Sequence, residues 1–443
     1  MKGRRQWLLQ CAGLAGASGL PLLGAGCRPV PESASASATG VTLRFWAMGR
    51  EGEVARELLA GFAQEHPQWR LRIDPLPWSA AHEKLLTAFA GDATPDVAQI
   101  GNTWLPEMTA LGALTPLEPW LDATPAIGPA DFFPGIWQTH RMDGRMMGLP
   151  WTVDTRLVYY RRDLFERLGL NGFPADWSGW LAALRSLKAR GWVRTPVLLP
   201  LTEFEPLLAL ALQDDRPLVS EDGYAGFSRP GFRQALDFYL QLFREGLAPP
   251  ATHNQIANLW QEFERGTFAC FISGPWNMGE LRRRLPASRQ HLWAAAPLPG
   301  PRGPGFSTAG GSSLVLFERS RHKPQAWALI EYLSRPQVQQ TLHRMTGNLP
   351  PRRSAWTLAG LTDDPAAQAF ARQLERVRPA PALPEWERIA NEMQLVAARL
   401  VHEGTPPAPA LAALDARVND ILGKYRWMRA RRRQAVVREG RVA

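Results

Sequence analysis

From Val41 to the helix that opens near Asn102, the chain alternates short strand-like runs with amphipathic helical ones. This alternation restricts the possible folds more than any other feature. Val41-Thr42-Leu43-Arg44-Phe45-Trp46 changes side at every residue, the period of a strand. Glu53 to Glu65 carries Val54, Leu58 and Phe62 a turn apart, and His66-Pro67 ends that helix. Trp69 to Ile73 reads as a second strand. Ser79 is placed to cap a helix whose apolar face is Leu85, Leu86 and Phe89, closed by Gly91. Asp96 to Ile100 is a third strand, running into Gly101-Asn102-Thr103-Trp104 and a further helix. Three strand–helix units in a row favour right-handed crossovers and a parallel sheet with helices on its faces.

The theme recurs downstream. Leu157 to Tyr160 is extended; Asp163 and Asp176 are helix N-cap candidates, the second opening Trp177 to Arg190. Ser228 is set to cap a helix with Phe232, Leu236, Tyr239, Leu240 and Phe243 on one face. Phe268 to Ser273 is a buried-type strand followed by Gly274-Pro275-Trp276-Asn277. Gly310-Gly311 leads into a strand over Leu314 to Phe317, with helices near 324–334 and 336–346. Asp364 to Tyr425 is helical, interrupted by Pro381, Pro384 and the cluster Pro406, Pro407 and Pro409. The length of 443 residues suits two or three domains, and no repeat of solenoid period occurs.

The N-terminus has a different logic. Lys2, Arg4 and Arg5 precede an apolar, small-residue run from Trp7 to Gly26; Cys27 follows, then a Pro/Ser/Ala stretch to Gly40. That order reads as an export signal over 1–26, a cysteine that can take a lipid, and a flexible tether over 27–40. Arg4-Arg5-Gln6-Trp7-Leu8-Leu9 resembles a twin-arginine motif, and Gly24-Ala25-Gly26-Cys27 resembles a lipoprotein cleavage box, with Gly24 where Leu is usual. The plainer alternative is a cleaved secretory signal with Cys27 incidental. Gly, Ala and Pro21 make the run a poor transmembrane anchor.

The net charge of +10 is carried by the ends: residues 1–26 contribute +3 and residues 424–443 contribute +7, leaving 27–423 neutral. A neutral body offers no field for nucleic acid, which is excluded as a partner. The basic tail 424–443 reads as a solvated, partly disordered terminus, with attachment to anionic lipid or another acidic surface as the sharper alternative. With Cys11 in the signal and Cys27 lipidated, Cys270 stands alone, so no intramolecular disulfide is expected.

Catalytic signatures are missing: there is no GxSxG, no P-loop, no HExxH and no CxxC, and the eight histidines show no pair at ligand spacing. No metal and no cofactor is expected, and the chain does not read as an enzyme. Two distant carboxylates can still meet in space, so an envelope glycan hydrolase or lyase is the alternative. What the chain has in excess is tryptophan, 18 against 6 tyrosines. Trp46, Trp104, Trp151 and Trp276 lie just after strands or in Gly/Pro-rich turns, where a parallel α/β sheet binds ligands. Their flat faces suit the C–H face of a sugar ring, although burial in a core is equally compatible with each. Trp120, Trp137, Trp180, Trp192 and Trp327 read as packing residues. Glu51, Asn102, Asp154, Asn277 and Asn348 share the same turns and can bond hydroxyls. For Glu51 the competing role is a first-turn helix acid, for Asn102 a cap, for Asp154 a salt bridge to a neighbouring Arg, and for Asn348 a turn after Gly347.

These segments together resemble the extracellular solute-binding proteins of carbohydrate ABC importers. The resemblance runs over about residues 41–423. It is carried by Leu43 to Trp46, Leu59 to Pro67, Pro95-Asp96-Val97, Gly148 to Thr155 with Leu157 to Tyr160, Phe263 to Gly266, Ser273 to Trp276, Gly310-Gly311-Ser312, Lys323 to Trp327 and Gly347 to Arg352. It implies an α/β, two-lobed periplasmic-binding-protein fold, each lobe a mainly parallel sheet flanked by helices, with a ligand cleft at the hinge. Lobe 1 would be 41–152 with 308–352, and lobe 2 would be 153–307 with 353–423. Crossings between lobes would fall near Trp151–Thr155, Ser307–Gly310 and Pro350–Ser354. The cleft positions would map to Trp46, Asn102, Asp154, Trp276, Gly310, Gly311 and Arg352, the last with hinge bracing as its other role. The implied partners are a carbohydrate or polyol ligand, ABC permease transmembrane subunits, and the membrane through lipid on Cys27. The implied state is a monomer on the periplasmic or extracellular face of the cytoplasmic membrane. Pro350-Pro351 and the tail beyond Tyr425 depart from the family pattern.

Overall fold

The computed structural model describes residues 40–251 and 258–439. The export signal, Cys27 and the tether as far as residue 39 lie outside the described residues. In chain order the strands are β1 (Thr42–Met48), β2 (Arg70–Leu76), β3 (Val97–Gly101), the small hairpin β4 (Arg141–Met142) and β5 (Arg145–Met146), and β6 (Leu149–Asp154). They continue as β7 (Leu157–Arg161), β8 (Thr195–Leu198), β9 (Phe268–Ser273), β10 (Trp293–Ala296), β11 (Ser307–Thr308), β12 (Gly310–Leu316) and β13 (Val377–Arg378).

Two sheets organise two lobes. The first has the order β2-β1-β3-β12-β6, the second β10-β7-β9-β8. In the first, β1 pairs parallel with β2 and β3, as crossover helices demand, whereas β12 runs antiparallel to both β3 and β6. In the second only β8–β9 is parallel; β7 is antiparallel to β9 and β10. The parallel character is therefore concentrated in the first three strands, where sequence neighbours form consecutive strand–helix units. The antiparallel strands join each sheet after the chain has visited the other lobe.

Alternation along β1 sends Leu43, Phe45 and Ala47 into one core with Phe62, Trp151 and Trp327, and Trp46 and Met48 into another with Leu85 and Trp104. Both faces of the sheet are thus covered, which explains why Val97 to Ile100 is wholly buried. The second lobe is closed by Trp180, Phe238, Trp386 and their neighbours on one side, and by Tyr159, Phe271 and Phe370 on the other. The packing tryptophans behave as expected: Trp120 stacks on Trp327 and Trp180 is fully buried.

Local differences from the sequence reading have simple causes. The first helix begins at Gly49 and breaks at Leu59, giving Gly49–Leu58 and Ala60–Glu65. Asp176 accepts from the Gly179 N–H at 2.8 Å, as an N-cap should. Ser79 and Asp163 instead lie inside the first turns of the helices Trp78–Ala90 and Arg162–Arg167, and Arg161 takes the Asp163 carboxylate as a fork-to-fork pair. Ser228 yields to Pro230, whose fixed φ starts the helix Pro230–Arg244. The basic end is a helix over Gly423–Glu439.

Candidate functional site

The C-terminal edges of β1, β2, β3 and β6 and the start of β12 lie at one end of the first sheet, because β12 runs against the others. Asp154 ends β6 opposite Gly310. Two residues on, Arg156 leads into β7 of the second sheet, so the hinge crossing carries an acid and a base. Ser307 of β11 accepts from the Arg156 N–H at 3.1 Å and donates to its carbonyl at 2.6 Å, tying the two crossings together.

Around Arg156 the charges converge. Its Nη2 lies 3.2 Å from Asp154 Oδ2 and 3.2 Å from Glu205 Oε1. Its guanidinium sits 4.8 Å from the Trp276 ring centroid. Gly274 makes this approach possible: a Cβ there would stand 2.1 Å from the Trp276 ring and 2.7 Å from Asp154 Oδ1. Asp154 Oδ1 and Arg156 Nε are buried without hydrogen-bond partners. Burial raises the Asp154 pKa, opposed by the Arg156 charge and reinforced by Glu205 and Glu203. Trp276 remains half-buried.

A second group spans the lobes. Thr103, after β3, donates from Oγ1 to Glu387 Oε1 at 2.6 Å; Glu387 opens the helix Trp386–Glu403 of the other lobe. His82 Nε2 lies 2.6 Å from Glu107 Oε2, which raises the histidine pKa, and the His82 ring is 5.0 Å from that of Trp104. Trp78, 40% exposed, meets Trp104 edge-on at 5.6 Å. Burial raises the Glu387 pKa, and Glu205 and Glu107 add to it. The two groups thus share Glu205 electrostatically. Beside them Asn102 and Thr103 line an interlobe groove of about 450 Å³ with Pro106, Thr139, Asp215 and Arg378.

Several residues expected in the cleft are committed elsewhere. Trp151 is fully buried in the first lobe's core, edge-on to Phe45. Trp46 points into the opposite core face and donates from its indole to Asp74 at 3.0 Å. Asn277 accepts from Trp260 Nε1 at 2.8 Å and donates to Ser273 at 2.8 Å, leaving its amide engaged. Arg352 is the bracing residue: it bonds Asp131 at 2.7 Å, Ser334 O at 2.9 Å and Ala126 O at 2.6 Å. Gly310 and Gly311 serve strand approach, since a Cβ on either would stand within 2.9 Å of a carbonyl oxygen of β6. Asn348 uses its backbone as a turn, donating to Thr346 Oγ1 and accepting from His343. Asn102 donates to Ala309 O at 2.9 Å, pinning the end of β3 to the hinge. Glu51 is buried at the start of its helix, accepts from Gln99 at 3.0 Å, and burial pushes its pKa up to about 7.

Of the sequence candidates, then, Asp154 and Trp276 meet at the hinge, with Trp104 contributing to the second group. Sequence reading passed over Trp78, His82, Thr103, Glu205 and Glu387. The one available signal was two acid–aromatic–acid triplets, Glu203-Phe204-Glu205 and Glu385-Trp386-Glu387, each at a helix start of the same lobe.

The family model for bacterial extracellular solute-binding proteins matches residues 48–340. Among solved structures, the sugar-binding protein MalE of Xanthomonas citri is 47% identical, with a TM-score of 0.82 over 88% of this chain and 99% of that one. The diacetylchitobiose binding protein DasA of Streptomyces coelicolor is 23% identical, over 87% of this chain and 91% of DasA. The arabinooligosaccharide-binding protein of Halalkalibacterium halodurans is 22% identical, over 71% and 72%. This chain belongs to the bacterial extracellular solute-binding proteins.

Proposed function

We propose that the protein captures a neutral sugar or related polyol between its lobes and delivers it to the transmembrane subunits of an ABC importer. The observation that carries this reading is the hinge set Asp154, Arg156, Glu205 and Trp276: two carboxylates, that of Asp154 raised in pKa by burial, beside a half-buried indole. Carboxylates in dry surroundings accept strongly from hydroxyls, and the ring face supplies tolerant apolar contact. One guanidinium among several acids disfavours a phosphate ester. The names of MalE, DasA and the arabinooligosaccharide-binding protein support the same ligand class.

The working cycle follows from the hinge. Ligand binds one lobe and stabilises the closed arrangement, in which Thr103 meets Glu387; closure changes the face offered to the permease. Lobe 1 is 41–152 with 308–352 and lobe 2 is 153–307 with 353–423. The signal over 1–26 exports the chain, lipid on Cys27 and the tether over 27–40 keep it near the permease, and it works as a monomer at the outer face of the cytoplasmic membrane.

A thermal-shift screen against sugars, polyols and glycerol phosphates tests this. A ligand at about 100 times its Kd adds about 2.7 kcal/mol of stability. One neutral sugar class should raise the melting temperature and remain chemically unchanged on incubation. A shift by phosphate esters alone, or new reducing ends from a bound glycan, would refute it.

A further inference from the structure

The terminal helix has two unlike sides. Its first turns dock on the second lobe through Tyr425, which packs against that lobe's core, and through Arg426, which donates to Gly223 O at 3.0 Å and covers the Tyr224 ring at 4.9 Å. Arg429 extends the contact toward Glu221 at 4.0 Å. Gly223 lies so close that a Cβ there would stand 2.8 Å from Tyr425. The docked side is thereby held by specific contacts.

Lys424, Trp427, Met428 and Arg431 face the other way, and all four are exposed. Their spacing of three, four and seven places them on one helical stripe. Trp427 is 56% exposed, although tryptophan is highly buried on average. The Arg431 guanidinium lies 4.2 Å from its ring centroid, the pairing of a basic group with an amphipathic aromatic that suits a headgroup layer. The helix carries Lys424, Arg426, Arg429, Arg431, Arg432, Arg433 and Arg438 against one acid, Glu439, while residues 27–423 are neutral. A cationic helix with a solvent-facing tryptophan, fixed to a neutral body by its opposite side, has the chemistry of an anionic lipid interface.

We propose that the exposed face of the helix Gly423–Glu439 docks on anionic phospholipid, with Lys424 and Arg431 at the headgroups and Trp427 and Met428 at the acyl boundary. The contact lies in the second lobe, so it orients the body on the membrane. The proposal is independent of which solute fills the cleft.

The test uses residues 27–443 carrying Cys27→Ser, so that neither the basic, apolar leader nor an acyl chain contributes, and vesicles of one-third phosphatidylglycerol in phosphatidylcholine. The salt-sensitive part of binding is compared at low ionic strength and at about 1 M, where the screening length is about 3 Å. Each basic residue near the surface accounts for about a fivefold change in affinity, so Lys424→Gln with Arg431→Gln should weaken binding about thirtyfold. Trp427→Ala should weaken it further, whereas Lys424→Arg with Arg431→Lys should preserve it. Melting curves should be unchanged, because these side chains face solvent. Equal binding by the wild-type and the neutralised variant, equal binding to pure phosphatidylcholine, or a requirement for an acidic protein in place of lipid would each overturn the proposal.

Discussion

Thr103 and Glu387 are 284 residues apart in sequence, yet Thr103 Oγ1 donates to Glu387 Oε1 at 2.6 Å across the two lobes. A hydrogen bond to a charged group contributes about 1.5–3 kcal/mol. On the proposed cycle, this interlobe bond favours the closed arrangement. Thr103→Val should therefore weaken solute affinity by about tenfold to a hundredfold with little change in the unliganded melting temperature. Glu387→Gln keeps an acceptor and should cost less. Titration calorimetry on the two variants separates these outcomes; unchanged affinity in both would remove this bond from the closing mechanism.

Gly279 and Gly347 form a second interlobe contact. A Cβ on Gly279 would stand 2.9 Å from Gly347 Cα, and Gly347 itself has φ +80°, a conformation that excludes most side chains. Backbone meets backbone here, so neither side can yield. Gly279→Ala should oppose closure by about 1–3 kcal/mol, the usual cost of overpacking. Small-angle scattering should report a larger radius of gyration in the presence of solute than for the wild type.

Trp276 is expected to supply apolar contact to the solute without holding the fold, since its ring is only half-buried and leans on Arg156. Trp276→Ala should reduce affinity by about tenfold or more, in line with aromatic contacts of this kind, and leave the fold intact. Trp151→Ala, by contrast, empties a fully buried site and should destabilise by about 3–5 kcal/mol. Equilibrium urea unfolding and ligand titration on both variants distinguish a binding from a packing tryptophan.

Glu51 gives the protein a pH dependence of stability. Its folded pKa of about 7 lies above the ordinary value of 4.5, so between those values the folded state holds a proton that the unfolded state has released. Stability falls as pH rises through this window, by up to about 3 kcal/mol for a shift of this size. Glu51→Gln keeps the acceptor for Gln99 and removes the ionisation. It should be more stable than wild type at pH 8, nearly equal at pH 4, and flatter between, as read from urea unfolding at each pH.

The sequence exposed the elements and their order because both depend on nearest neighbours. Asp176 could be read as a cap since its partner, Gly179, is three residues away. The strands of the first sheet could be read from period-two alternation. Trp46, Trp104, Trp151 and Trp276 share one local setting, each at or just after a strand, and local pattern cannot separate them. The structure does: Trp151 is sealed in the first lobe, Trp46 reaches Asp74, Trp104 meets His82, and only Trp276 keeps a half-open ring at the hinge. Arg352 shows the same limit, because its three partners, Asp131, Ser334 and Ala126, come from two distant stretches of chain.

By itself, then, the sequence determined the alternation of strands and helices, the neutral body with a basic end, and the family to which these segments belong. Those properties are set by side-chain periodicity, composition and charge, each written locally. The salt bridge of Asp154 to its neighbour Arg156 was among the local readings, but tertiary structure alone decided that Glu205 joins them, that Thr103 faces Glu387, and that Trp427 is left on the outside of the last helix. Each of these depends on how two sheets and their helices pack, and a contact between distant residues has no local pattern from which to be read.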